Sequence, residues 1–113
     1  MFEIEFYETN DGKCPMEEFL DSLEPKMQAK TLRTIDLLEA NGTFLREPFS
    51  EPVADGIFEL RTKQGSNLTR VFYFFFVGKK AVLTNGLVKK SQKTPKADLE
   101  LAKRYKSDYE RRH

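Results

Sequence analysis

Between positions 57 and 96 the chain carries nine Lys and Arg residues and a single acid, Glu59. Seven of those bases fall in three groups: Arg61 with Lys63, then Arg70, then Lys89, Lys90, Lys93 and Lys96. The stretch Ile57–Lys63 alternates Phe58 and Leu60 against Glu59, Arg61 and Lys63, so a strand there presents two bases on one face. Alone, that is an ordinary solvated strand face. Arg70 is less ordinary, because it opens the most apolar stretch of the chain, immediately before Val71-Phe72. In an antiparallel meander the end of one strand lies beside the start of the next. Arg61 and Lys63 then meet Arg70 across a first hairpin, and a second hairpin returns Val88-Lys89-Lys90 to the same end. Cations gathered from three places suit a phosphate group. Arginine suits it best, since a planar guanidinium grips two oxygens at once and stays charged.

Other chemistries lack their residues. The one histidine, His113, is the last residue, where fraying is expected, so no Ser-His-Asp or Cys-His arrangement can be assembled. Cys14 is the one cysteine; beside Pro15 it reads as a small inert residue and has no disulfide partner. No Cys/His set has zinc spacing, and the glycines are scattered at turns rather than gathered in a phosphate-binding loop. No metal and no cofactor is therefore expected. The ten phenylalanines sit mostly at periodic positions and read as packing rather than as platforms for bases.

Net charge is +1, but residues 1–56 hold 5 bases against 13 acids and residues 57–113 hold 14 against 5. That polarisation suits one surface made for a polyanion and another facing elsewhere.

The elements that must position the bases follow from periodicity. A chain of 113 residues, 39% hydrophobic and 33% charged, fits one domain, residues 1–113, with one core. Phe2–Tyr7 alternates as a half-buried strand. Pro15 opens a short helix with Met16, Phe19, Leu20 and Leu23 on one face. Pro25 opens a second, with Met27, Leu32, Ile35 and Leu38 toward the core and Asn41-Gly42 ending it. Thr43 to Gly56 reads as a loop. Strands follow at Ile57–Lys63, Leu68–Val77 and Ala81–Val88, the middle one apolar on both parities and so covered on both faces. Thr94-Pro95 reads as an N-cap and first helical residue, before a helix with Leu99, Ala102, Tyr105 and Tyr109 in a stripe. The order β-α-α-β-β-β-α defines an α+β fold, two helices packed on a mainly antiparallel sheet, with a C-terminal helix. The longest apolar run is too short to span a membrane, and the acidic N-terminus does not resemble a signal peptide, so a cytoplasmic protein without a membrane partner is expected.

The strings Gly56-Ile-Phe-Glu-Leu-Arg61, Arg70-Val-Phe-Tyr-Phe and Asn85-Gly-Leu-Val-Lys-Lys-Ser-Gln-Lys-Thr-Pro95 resemble the phage-derived HigB-like branch of the RelE/ParE toxin superfamily. The resemblance spans nearly the whole chain. It implies a RelE-like domain and the toxin of a type II toxin–antitoxin system. Such toxins cleave mRNA, usually on the ribosome, and are neutralised by an antitoxin that often carries a helix-turn-helix domain. The family's basic residues match Arg61, Arg70 and Lys89 or Lys90, with Lys93 nearby; Lys63 and Lys96 extend the patch as RNA-binding residues. In one respect the sequence departs from RelE, where a tyrosine follows soon after the basic cluster. Here Lys93, Thr94 and Lys96 stand in that neighbourhood and the next tyrosine is Tyr105.

An endoribonuclease of this kind needs the 2′-hydroxyl to attack the adjacent phosphorus, and fixed cations stabilise the charge that develops. Arg61 and Arg70 are the expected phosphate clamps. An ammonium crowded by other cations gives up its proton more readily, so Lys89, Lys90 or Lys93 is the expected base. Two other functions share the fold: a ParE-like toxin acting on DNA gyrase, for which the basic cluster is not needed, and an inactive RNA-binding module. In each case an acidic or amphipathic antitoxin segment is expected over Arg61 and Lys89–Lys93, with the acidic N-terminal helices as an alternative docking surface.

Overall fold

A strand with apolar residues on both parities needs cover on both sides, and that requirement organises the molecule. The computed structural model describes residues 1–89 and 93–113. Its elements are β1 (Glu3–Phe6), α1 (Pro15–Ser22), α2 (Pro25–Asn41), a 3-10 turn (Gly42–Phe44), β2 (Ser50–Ala54), β3 (Ile57–Gln64), β4 (Asn67–Phe76), β5 (Lys80–Lys89) and α3 (Lys96–Arg112). The strands form one sheet in the order β1-β5-β4-β3-β2, antiparallel except for the parallel β1–β5 pair. Strand β4 is central. Its Val71, Tyr73 and Phe75 pack under α1 and α2 with Met16, Leu20, Ile35 and Leu38. On the opposite face, Phe72 and Phe74 pack under α3 against Ala102 and Tyr109. No helix among the described residues is long and apolar enough to cross a membrane.

The structure adds a fifth strand to the expected order. Ser50–Ala54, inside the expected loop, pairs with β3 through Ser50↔Leu60, Glu51↔Glu59 and Pro52↔Phe58 before a bulge at Ala54. Pro52 and the short length erase any alternation, so the pairing is imposed by β3 rather than by local propensity. In α2, Leu32 is 42% exposed rather than in the core. Thr31 and Thr34 are buried instead. Their hydroxyls are satisfied across the sheet: Thr31 with Thr69 at 3.3 Å, and Thr34 accepting from Thr62 at 2.8 Å. Buried hydroxyls with partners cost little, so a polar pair can fill a core position. At the other terminus, His113 is not frayed but stacks on the Tyr109 ring, centroids 4.0 Å apart.

Strand β5 crosses beneath α1 at Gly86, which is paired with Val71. A Cβ added there would lie 2.6 Å from the Phe19 ring, so only glycine admits the helix at this distance. The far end of α3 is fastened to the start of the chain. The Tyr7 hydroxyl donates to Asp108 Oδ2 at 2.5 Å, Arg112 Nη2 donates to the same oxygen at 2.7 Å, and the Tyr7 ring stacks on Tyr105. Burial and the Asp108 carboxylate push the Tyr7 phenol from 10.0 up to about 12. The same bonds hold the Asp108 carboxyl below its ordinary value.

Gly86→Ala is expected to cost about 1–3 kcal/mol through overpacking, and a companion Phe19→Leu should recover part of it; urea denaturation measures both. Because its proton is held more tightly in the fold, Tyr7 contributes stability that is complete below pH 10 and is lost as the pH rises through about 12. Alkaline titration at the phenolate absorbance should show this late tyrosine, and Tyr7→Phe should remove it while flattening the alkaline loss of stability.

Candidate nucleic-acid interface

Register brings the predicted bases to one end of the sheet. Arg61 lies directly opposite Arg70 across β3 and β4, and Arg70 lies opposite Leu87 of β5. Two residues further out, Lys63 faces Leu68, which faces Lys89. With strands about 4.8 Å apart, Lys63 and Lys89 flank Leu68 at backbone separations of about 10 Å. Lys93 precedes α3 and Lys96 begins it, both exposed, as are Lys63 and Lys89. Lys90 lies outside the described residues.

The two arginines have different surroundings. Arg70 has no exposed side-chain surface, and neither does Glu59. Arg70 Nη1 donates to both Glu59 oxygens, at 3.1 and 3.2 Å. Glu59 also accepts from Arg61 Nε at 2.7 Å and from the Thr94 hydroxyl at 2.8 Å. A carboxylate offers about four acceptor positions, and these contacts occupy them. Arg70 was expected to clamp phosphate directly. Its burial gives it another part, because a phosphate would have to displace Thr94 and compete with Glu59 to reach Nη1. Arg61 remains 20% exposed and is steadied from both sides, by Glu59 and by Glu51, whose Oε2 lies 2.6 Å from Nη2. Among the described residues its Nη1 has no hydrogen-bond partner.

Thr94 also departs from expectation. Helix α3 starts at Lys96 with Pro95 in the cap position, and no side chain caps it. The Thr94 hydroxyl is drawn to the buried carboxylate instead and also accepts from Arg70 at 3.2 Å. The first turn of α3 is held to β5 by Asn85 Nδ2, which donates to the Asp98 carbonyl at 3.2 Å. Together these contacts tie the Lys93–Lys96 segment to the sheet beside Arg61.

Sequence reasoning passed over Glu59, Glu51 and Thr94 as site residues. A signal for Glu59 was present: it is the one acid among nine bases and shares the strand parity of Arg61. Nothing comparable marks Glu51, which sits in the unrecognised β2. Cys14 is buried, as an inert core residue should be, and burial pushes its thiol up, away from the reactive thiolate. His113 lies at the other end of α3, about 25 Å along the helix from Lys96.

The sheet, its helices on both faces and its cationic end define a small α+β domain. Residues 18–107 match the family described as "Phage derived protein Gp49-like (DUF891)", and the chain belongs to that family. No curated protein matches the chain.

Breaking a buried ion pair by removing one partner strands the other charge, at a cost of roughly 3–5 kcal/mol. Arg70→Met and Glu59→Leu are each expected to destabilise by about that much in urea denaturation. The double variant should lose less than the sum, because no isolated charge remains. Additive losses would mean that the pair is not what holds this end of the sheet.

Proposed function

We propose that the protein is the toxin of a type II toxin–antitoxin system, of the HigB-like kind, acting as a metal-independent endoribonuclease that inhibits translation. The observation that carries this reading is the gathering of Arg61, Lys63, Lys89, Lys93 and Lys96 at one sheet end, with Arg61 held in a fixed orientation. Membership in the Gp49-like family supports it.

In this mechanism the mRNA backbone lies across the outer row of lysines. Arg61 Nη1 and the lysines bind the non-bridging oxygens of the scissile phosphate and stabilise the charge of the phosphorane. A lysine from Lys89, Lys90 or Lys93 takes the proton of the 2′-hydroxyl. The 2′-oxygen bonds to phosphorus, the bond to the 5′-oxygen breaks, and that oxygen receives a proton. The products are a 2′,3′-cyclic phosphate and a 5′-hydroxyl. Arg70 and Glu59 do not touch substrate in this account; they position Arg61 and Thr94. The ribosome aligns the mRNA for in-line attack, work that this open surface does not do alone. A cognate antitoxin, a helix-turn-helix protein with an acidic segment, would neutralise the toxin by covering the same lysines.

Arg70→Ala is a poor probe, since it removes a buried charge partner. Arg61→Ala and Lys89→Ala are better, with folding checked by thermal denaturation. Induced expression in a bacterium should arrest growth and fragment mRNA, and either substitution should slow purified ribosome-dependent cleavage by about a hundredfold, the effect of losing one transition-state donor worth about 3 kcal/mol. Activity should survive EDTA; its complete loss would overturn the metal-free mechanism. Arrest with intact mRNA would point to a gyrase-directed toxin, and RNA binding without arrest to an inactive module.

A further inference from the structure

Beyond the phosphate-binding lysines, the sheet has one unfinished edge. Strand β2 pairs with β3 only as far as Leu60, and the Arg61 N–H then reaches the Phe49 carbonyl at 2.8 Å. Backbone groups alternate sides along a strand. The N–H and C=O of Lys63 therefore point the same way as those of Arg61, out past the end of β2. A groove of ≈ 350 Å³ lies along this edge, between α2 and the turn before β2. Lys30, Arg61 and Lys63 line it with Thr34, Leu68 and Phe49, and no acid does. Phe49, 39% exposed as a residue, is one of the lining residues. Its backbone is fixed at both ends, the N–H donating to Arg46 at 3.0 Å and the C=O accepting from Arg61.

From this geometry we infer that the groove is a nucleobase subsite, receiving one base of single-stranded RNA next to the phosphate held by Arg61. The inference rests on the reading of this sheet end as an RNA site and adds to it the element that chooses the base. Three features favour a base. A planar ring can stack on Phe49. The outward N–H and C=O of one residue, Lys63, offer one donor and one acceptor, the pattern needed to read a base edge. Three cations flank the pocket for the adjoining phosphates. A peptide strand is the other ligand that seeks open sheet edges, but it gains its affinity from a run of backbone bonds. Here only Lys63 has outward groups to give, because β2 occupies the edge before it and the Gly65-Ser66 turn ends it.

The subsite can be tested without cleavage, by following backbone amide NMR signals while titrating AMP, GMP, CMP and UMP, with ribose 5-phosphate as the probe that lacks a base. Lys63 and Phe49 signals should shift with nucleotides, with one base preferred, and respond at least about tenfold more weakly to ribose 5-phosphate. Phe49→Ala should weaken nucleotide binding about tenfold. Lys63→Ala keeps the outward N–H and should keep the base preference. Lys63→Pro removes that N–H at an edge position where proline is tolerated, and should abolish the preference. Equal responses to ribose 5-phosphate and to nucleotides would overturn the inference in favour of a bare phosphate site. A glutamate-rich octapeptide that shifts the same amides more strongly than any nucleotide would overturn it in favour of a protein-docking edge. Base-selective binding by a protein that cleaves nothing would uphold the subsite while sinking the nuclease mechanism. Cleavage with no nucleotide response in the groove would do the reverse.

Discussion

A carboxylate and a guanidinium with no exposed surface, Glu59 and Arg70, face each other on adjacent strands beneath the start of α3. Neither charge is readily buried alone, since an ion stranded inside a fold without its partner costs several kcal/mol. Together, with Arg61 and Thr94 filling the remaining acceptor positions of Glu59, they make a closed polar unit within an apolar sheet. Three separate parts of the molecule are thereby held in one geometry: the outer end of β3, the start of β4, and the segment leading into α3. Lys63 rides on the first of those parts and Lys93 and Lys96 on the last, with Lys89 at the end of β5 beside them. Arg61 is the link between the buried unit and the surface, since one nitrogen is committed to Glu59 and another to Glu51, which fixes the guanidinium plane. A guanidinium already oriented loses little freedom when it meets an anion.

The covered central strand makes this arrangement affordable. Strand β4 is apolar from Val71 to Phe76 and buried from both sides over most of that length, so its register against β3 and β5 is strongly determined. A slip of one residue would move Arg70 beneath α2 and Val71 into the polar unit. The hydrophobic core and the polar cluster thus specify the same alignment. The threonine contacts on the α2 side, Thr62 to Thr34 and Thr31 to Thr69, reinforce it from the opposite face.

Much of this was legible in the residues. The alternation of Ile57–Lys63, the two-sided apolarity of β4 and the prolines opening α1 and α2 are local signals strong enough to place four of the elements, and antiparallel connectivity then brings Arg61, Arg70 and Lys89 together. What escaped was decided by tertiary contact. Strand β2 has no periodicity of its own and exists because β3 offers it an edge. Thr94 carries the sequence signature of a helix cap, yet a buried carboxylate competes for its hydroxyl and wins. Thr31 and Thr34 look like surface residues until their cross-sheet partners are known, and Leu32 looks like core until they displace it. The burial of Arg70 depended on Glu59, whose significance lay in being alone among bases rather than in any motif.

Strand β2 has a further consequence, for the behaviour of many copies of the chain together. An open sheet tends to add another molecule's strand to its edge and grow. Here one edge is the four-residue β1, carrying Glu3 and Glu5, and the other is β2, interrupted by Pro52 and a bulge. Neither presents an unbroken ladder to a neighbour. A protein whose working surface must remain uncovered can in this way accumulate without polymerising through its own sheet.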